Sequence, residues 1–168
     1  MPELLKTAED LIERKKKNWP AASSSMAGIV IRLFRARDII YNHSRVKVKK
    51  EFNLTPAEFE VIATLRTLNP PFRMTPTNLR QALLITPGGI TKVINNLGER
   101  NLITRHKSEE DGRSTSVQLT DLGIQLAEQV LPAVTQEYVA LLTKGLDKNQ
   151  IGEMAILLKS MLKALEPK

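Results

Sequence analysis

Cysteine is absent from the 168 residues of this chain, so disulfide bonds, thiolate metal sites and cysteine redox chemistry are excluded. Histidine is scarce as well, since His43 and His106 are the only two. Neither has a carboxylate partner at a recognisable spacing, and the sequence contains no phosphate-binding loop, nucleophile elbow or metalloprotease motif. We therefore expect no catalytic residues, no bound metal and no cofactor.

Long apolar runs are also missing. No stretch of the sequence approaches the roughly 20 apolar residues that a membrane span requires. No apolar segment of the signal-peptide type follows Lys15-Lys16-Lys17 near the N-terminus. These absences favour a cytoplasmic protein.

Aromatic residues make up only 4% of the chain, whereas apolar residues make up 42%. This composition favours a helix-rich core of Leu, Ile, Val and Ala. The net charge of +7 suggests a polyanionic partner. It is unevenly distributed, because residues 1–54 carry a net +6, residues 55–120 a net +2 and residues 121–168 a net −1.

Apolar periodicity predicts helices in both flanking parts of the chain. The first covers residues 3–17 and ends at Trp19-Pro20, because the residue before a proline disfavours the helical conformation. A long helix follows from about residue 26 to 51. Another long helix starts after its cap Thr120, and Asp147 caps the last helix. On the two long helices we expect these residues to face inward: Ile29, Leu33, Ala36, Ile40, Leu122, Leu126, Val130 and Val134.

Three Thr-Pro pairs mark helix starts in the central part, because threonine caps a helix and proline suits its first turn. They are Thr55-Pro56, Thr75-Pro76 and Thr86-Pro87. Glu58 stands three residues after the first of these caps, the spacing of a capping box. Only Leu84 and Ile85 separate the second of these helices from the cap of the third. So short a turn makes the two helices cross steeply, as in a helix-turn-helix unit. On the three helices we expect these residues to face inward: Phe59, Ile62, Ala63, Leu65, Leu79, Ala82, Leu83, Ile90, Val93, Ile94 and Leu97.

Two strand-like segments follow the helix pair, over residues 102–107 and 114–119. The polar segment 108–113 joins them into a hairpin. A helix-turn-helix followed by a hairpin is typical of a winged helix-turn-helix. The predicted fold is therefore mainly α with a small β-wing.

The helix over residues 87–98 has side chains suited to reading DNA. With its apolar side buried, its opposite side presents threonine, lysine and two asparagines. Asparagine can pair with adenine N6 and N7, lysine can donate to guanine O6 and N7, and a threonine methyl suits thymine. Gly88 and Gly89 lack a Cβ, which lets the helix N-terminus approach a phosphate, although they could instead only ease the turn.

The hairpin tip carries a second DNA-binding candidate. Asp111 can hold the guanidinium of Arg113, which would then enter a narrow minor groove. Arg105 and Lys107, on the first wing strand, are candidates for phosphate contacts or for lining a pocket. The complete set of candidate DNA-binding residues is Thr86, Pro87, Gly88, Gly89, Thr91, Lys92, Asn95, Asn96, Lys107, Asp111, Arg113 and Ser114.

The same residues resemble the MarR family of winged-helix transcription regulators. The matching segments are Leu54-Thr55-Pro56 to Leu65, Met74-Thr75-Pro76 to Leu84, Thr86 to Arg100, and Asp111-Gly112-Arg113-Ser114 through Gly123. The resemblance implies a homodimer whose first and last helices interleave. Each protomer would place residues 87–98 in a major groove of a DNA operator and its wing in the adjacent minor groove. Most such proteins are repressors that a small anionic or phenolic ligand releases.

A narrower resemblance is to the urate-responsive branch of that family. Its members have an extra N-terminal helix followed by a tryptophan, as residues 3–17 and Trp19 do here. Glu60 stands at the position of an Asp, Lys92 at that of a first Arg and Arg105 at that of a second Arg. The resemblance implies that these four side chains bind the ligand. Since Lys lacks the planar fork of Arg, urate and other aromatic acids both remain open.

The resemblance also divides the chain. It places an extra helix at residues 1–20, a helical dimerisation region at 21–54 and 121–168, and the DNA-binding domain at 55–120. The alternative function is a winged-helix protein-interaction module without specific DNA binding, because a fold does not dictate its function.

Overall fold

The computed structural model of the chain describes residues 6–107 and 115–166. The chain divides into two compact units, Met1–His43 and Ser44–Lys168. The long helix α2 (Ser25–Phe52) begins in the first unit and ends in the second. Among the described residues, no helix is both long and apolar enough to cross a membrane.

The first unit contains α1 (Ala8–Asn18), a short 3-10 turn (Pro20–Ala22) and the first part of α2. Thr7 begins α1 with a reciprocal capping box, because its hydroxyl accepts from the Asp10 backbone N–H and its own N–H donates to the Asp10 carboxylate. Arg32 on α2 donates two hydrogen bonds, of 2.8 and 2.7 Å, to the Glu9 carboxylate. These bonds hold the pKa of Glu9 below its ordinary value. The pair therefore fastens α1 to α2.

The second unit contains the rest of the fold. Its further elements are α3 (Pro56–Arg66), β1 (Arg73–Met74), α4 (Pro76–Leu83), α5 (Pro87–Glu99), β2 (Ile103–Lys107), β3 (Thr115–Leu119), α6 (Asp121–Leu142) and α7 (Lys148–Leu165).

The predicted helix caps are confirmed. Thr55, Thr75, Thr86 and Thr120 each accept a hydrogen bond from the backbone N–H three residues later, at 3.0–3.3 Å. Asp147 caps α7 through two such bonds. Each cap satisfies donors that a helix start would otherwise leave without partners.

The sheet has three strands where the sequence predicted two. β3 lies in the centre and pairs antiparallel with β2 on one side and β1 on the other. Arg73 on β1 lies opposite Gln118 and donates to its side-chain oxygen at 2.7 Å. The extra strand ties the chain between α3 and α4 to the wing.

A single core cluster holds α3, α4, α5, α6 and the sheet together. Most residues expected to face inward are buried or half-buried, but four of these predictions are wrong, since Ala82 and Leu122 in this unit and Ile29 and Ala36 on α2 are exposed. Gly123, Ala127, Val130 and Val134 form the buried side of α6 instead. The sequence reading also missed Val61, which is fully buried on α3.

Candidate nucleic-acid interface

The turn between α4 and α5 is built from three residues, Leu84 to Thr86. Leu84 ends α4 in a left-handed conformation with φ of 52°. Ile85 packs against the core, and Thr86 caps α5. Because the turn is anchored between its two helices, it fixes the direction in which α5 begins.

The orientation of α5 agrees with its apolar periodicity. Its buried residues are Ile90, Val93, Ile94 and Leu97. Thr91, Lys92 and Asn95 are exposed on the other side, as are Pro87 and Gly88 at the start of the helix. The predicted DNA-facing side of α5 is thus open to solvent in this chain.

Thr91 and Asn96, two of the three candidate base-reading side chains that are bonded within the chain, bond to the Pro87 carbonyl and to Glu58. Thr91 donates from its hydroxyl to the Pro87 carbonyl at 3.1 Å, which leaves its methyl group as the part it can offer a base. Asn96 is half-buried and donates from Nδ2 to the Glu58 carboxylate at 3.3 Å. That bond favours a structural role for Asn96.

The two glycines at the start of α5 have different surroundings. A Cβ on Gly88 would meet nothing within 4 Å, whereas a Cβ on Gly89 would lie 2.9 Å from Ile85 Cγ2 and 3.0 Å from Thr86 Oγ1. Gly89 therefore serves the packing of the turn. Among the residues that the structure describes, none packs closely enough on Gly88 to require a glycine there.

The wing strands place Lys107 and Arg105 on β2. Arg105 lies opposite Val117, and Lys107 lies opposite Thr115 at the end of the ladder, where it is exposed. The predicted tip residues Asp111, Arg113 and Ser114 lie outside the described residues.

Arg105 and Asn95, assigned to different sites from the sequence, are in direct contact. Arg105 donates from Nη2 to Asn95 Oδ1 at 2.5 Å. They line a small recess of about 240 Å³, together with Ile94, Gly98, Glu99 and Ile103. The first wing strand is thus bonded to the DNA-facing side of α5.

The other candidate ligand-binding residues are placed as follows. Trp19 lies in the first unit and is 65% exposed. Glu60 on α3 is half-buried and has a polar or charged partner, whereas Lys92 on α5 is exposed.

Sequence reasoning missed a buried carboxylate beside α5. It identified Glu58 only as part of a helix cap, yet Glu58 is 4% exposed. Oε2 accepts the Thr55 N–H at 2.7 Å and lies 4.0 Å from Arg100 Nη1, while Oε1 accepts from Asn96. Arg100 also donates to the Asn53 carbonyl at 3.0 Å. Glu58 therefore links α3 to the C-terminal end of α5.

A basic groove also escaped the sequence reading. It has a volume of about 490 Å³ and lies between the end of α2 and the start of α3. Three cationic side chains line it beside apolar walls, an arrangement that suits an amphipathic anion. The lining residues are Arg45, Val46, Lys49, Lys50, Leu54, Thr55 and Pro56.

Among the described residues, no group of three or more His, Cys, Asp or Glu side chains could hold a metal ion.

Similarity to known sequences supports the expected family. A model of the MarR family matches residues 52–114. The chain is 29% identical over 122 residues to the HTH-type transcriptional regulator PecS from Dickeya dadantii, covering 73% of each protein. It is 28% identical over 110 residues to the multiple antibiotic resistance protein MarR from Escherichia coli, covering 66% of this chain and 74% of that protein.

Similarity to solved structures confirms the fold. The structure of wild-type MarR from E. coli in its apo form matches 78% of this chain and 95% of the MarR chain, with a TM-score of 0.69 and 25% identity. The structure of a MarR family regulator from Streptomyces coelicolor in complex with DNA matches 86% of this chain and 94% of that protein's chain, with a TM-score of 0.74 and 16% identity. The second likeness concerns the fold alone.

The sequence similarity to MarR-family regulators thus covers the central part of the chain, and the fold is mainly helical with a small antiparallel sheet, as in structures of that family. The similar proteins are regulators and not enzymes, which argues against an enzymatic role.

Proposed function

We propose that this chain, as a MarR-family regulator, binds a pseudo-palindromic DNA operator as a homodimer and represses transcription. The observation that carries the proposal is the exposed side of α5, where Thr91, Lys92 and Asn95 lie opposite a fully apolar, buried side. A helix with an exposed polar side and an exposed first turn can enter the major groove of DNA. The wing, including Arg113, would contact the adjacent minor groove.

The exposed apolar side chains of the flanking helices support a dimer. No described residue of α7 is buried, and Ile156, Leu157 and Leu165 are each about 70% exposed. In the first unit, Met26 and Phe34 on α2 are exposed to a similar extent. Helices that leave this much apolar surface open in one chain are expected to bury it against another. We assign residues 21–54 and 121–168 to that interface.

Light scattering coupled to gel filtration tests the dimer. Leu157→Glu is expected to weaken self-association, because it places a charge in the apolar surface. Gln81→Glu, at an exposed polar position of α4 outside the assigned interface, is the control and should leave the dimer intact. A wild-type protein that remains monomeric at micromolar concentration contradicts the proposal.

A binding assay on DNA from upstream of the chain's own gene, with random DNA as competitor, tests operator recognition. Two protomers would contact half-sites about 10 bp apart or a multiple of that spacing. Asn95→Ala should cost about 1–3 kcal/mol on the operator and little on random DNA. Asn69→Ala, at an exposed asparagine outside both the assigned interface and the candidate DNA-binding residues, should change neither. A wild type that shows no sequence preference would contradict the proposed operator binding and favour the alternative function, a protein-interaction module.

We further propose that a small anionic aromatic ligand, such as urate or a phenolic acid, releases the operator. It would bind to Trp19, Glu60, Lys92 and Arg105, bring negative charge beside Glu60 and draw Lys92 away from DNA. The bond between Arg105 and Asn95 supports such a link, because a ligand that engages Arg105 alters a side chain on the DNA-facing side of α5. A coupling free energy of 1–3 kcal/mol would lower operator affinity roughly five- to 150-fold.

Fluorescence of Trp19, the only tryptophan in the chain, provides the ligand test. Its exposed side chain should change its emission when urate or salicylate binds. Arg105→Gln should remove the response if the ligand occupies the proposed residues. Lys49→Gln should remove it if the ligand occupies the basic groove instead. Unchanged emission and unchanged operator binding across both ligands would exclude these effectors.

A further inference from the structure

The direction of the hydrogen bond between Arg105 and Asn95 fixes how the Asn95 amide is turned. An arginine side chain has donors only, so the atom that faces it must be the amide oxygen of Asn95. Arg105 Nη2 lies 2.5 Å from Asn95 Oδ1, and a bond from a charged donor is stronger than one between neutral groups. The amide nitrogen therefore points away from Arg105, since oxygen and nitrogen lie on opposite sides of the amide carbon.

Both partners are held in place by their buried neighbours. Ile94, next to Asn95, is 2% exposed, and Ile103, two residues before Arg105, is 3% exposed. The β2–β3 ladder fixes Arg105 opposite Val117. The backbones on both sides of the bond are thus anchored in the core, while the two polar side chains remain exposed.

This arrangement changes which base edge Asn95 suits. Pairing with adenine requires an asparagine to accept from N6 through its oxygen and to donate to N7 through its nitrogen. Here Arg105 occupies one of the two acceptor positions of that oxygen and places its own cationic donors beside it. The amide nitrogen and the remaining N–H groups of the guanidinium then make this part of the surface rich in donors. Guanine presents two acceptors in the major groove, O6 and N7, which match a surface of donors.

We propose that Arg105 is a specificity-determining residue, which holds Asn95 as a donor so that this part of the interface selects guanine over adenine. The inference rests on the proposed DNA binding. It gives Arg105 a role in DNA recognition that does not depend on any ligand, and it replaces the adenine pairing that the sequence alone suggested for Asn95.

Selection of bound sequences from a random DNA pool tests this role. The wild type should enrich guanine at one position of each half-site. Replacement of that guanine by adenine should weaken binding roughly five- to 150-fold, the factor that corresponds to the discrimination of a good base contact. Replacement by 7-deazaguanine, which lacks the N7 acceptor, should weaken it too. Inosine, which keeps O6 and N7, should be tolerated.

Three variants separate positioning from simple loss of charge. Arg105→Met should reduce the preference for guanine over adenine to near one, and Arg105→Lys should restore part of it, because lysine is also a donor. Arg73→Met is the matched control, since Arg73 is an arginine of the same sheet bonded to a side-chain amide oxygen. It should leave the preference unchanged. Thermal melts confirm that each variant is folded.

A double-mutant cycle on base preference completes the test. If Arg105 acts through Asn95, the losses of preference caused by Asn95→Ala and Arg105→Met should be clearly less than additive in the double variant. An Arg105→Met protein that still prefers guanine, or losses that add independently, would overturn the inference. A wild type that enriches no sequence at all would instead overturn the proposed function.

Discussion

Replacing Gly123 by alanine should destabilise the protein, although Gly123 lies inside a helix. Gly123 is the third residue of α6, and its N–H donates to the capping hydroxyl of Thr120 at 3.0 Å. A Cβ at this position would lie 2.1 Å from the carbonyl oxygen of Leu102. The same carbonyl accepts the Thr120 N–H at 3.1 Å. The start of α6 is therefore packed directly on the backbone between α5 and β2.

The magnitude follows from how far the backbone must move. Carbon and carbonyl oxygen come no closer than about 3.3 Å even in weak C–H···O contacts, so roughly 1.2 Å of displacement is needed. Overpacking of this kind costs about 1–3 kcal/mol, and alanine recovers about 0.5–1 kcal/mol through its higher helix propensity. Since a clash with backbone lies at the upper end of the overpacking range, a net loss of up to about 2.5 kcal/mol should lower the melting temperature by up to roughly 10 °C in a protein of this size.

Thermal denaturation followed by circular dichroism measures this effect. Gly152→Ala is the matched control, because it is also an internal helix glycine and a Cβ there would meet nothing within 4 Å. It should leave the melting temperature unchanged or raise it slightly. The reasoning is refuted if Gly123→Ala is as stable as Gly152→Ala.

Three further outcomes are expected. Gly88→Ala should keep the wild-type melting temperature, because its Cβ would enter open space, yet weaken operator binding measured by anisotropy; unchanged affinity would mean that no phosphate comes close to Gly88. Arg113→Ala should reduce the slope of log K against log salt by about one, and an unchanged slope would remove Arg113 from the contact with DNA. NMR titration should find the pKa of Glu9 below its ordinary value and return it towards that value in Arg32→Gln; the stabilisation by this exposed pair is present above the unfolded-state pKa and is lost as the pH falls through the lower folded-state pKa.

Signals that lie within a few residues of each other made much of the fold predictable. The four threonine caps and Asp147 were found because a cap and its helix are adjacent in sequence. The buried side of α5 was found because four apolar residues recur with the helical period. Both features depend on local backbone geometry and need no knowledge of the partners.

Features that depend on distant partners were missed. Strand β1 has only two residues, Arg73 and Met74, and exists because β3 pairs with it from more than 40 residues away. Leu122 was expected in the core because it continues an apolar stripe. The close contact of Gly123 with Leu102 turns the start of α6 so that Leu122 is exposed instead. No periodicity contains this information.

The candidate site shows the same division. The outward position of Lys92 and Asn95 followed from the period of α5. The contact between Asn95 and Arg105 joins α5 to β2 and could be seen only once the structure showed how the chain turns between them. The buried state of Glu58 was equally hidden, because a glutamate in a capping box is usually on the surface. Glu58 is buried because Asn96 and Arg100 from α5 pack against its carboxylate.

These contacts together explain how α5 can be both rigid and adjustable. Its start is fixed by the Thr86 cap and by Ile85 in the core, and its end is fixed by Arg100 on the Asn53 carbonyl. Between them, the bond from Arg105 to Asn95 is exposed, so solvent competes with it. Hydrogen bonds to charged groups contribute about 1.5–3 kcal/mol, which is close to the 1–3 kcal/mol of a typical coupling between two sites. If a ligand releases DNA as proposed, it would have to supply no more than one such bond in differential affinity to withdraw Arg105 from Asn95, and the core contacts that orient α5 would stay intact.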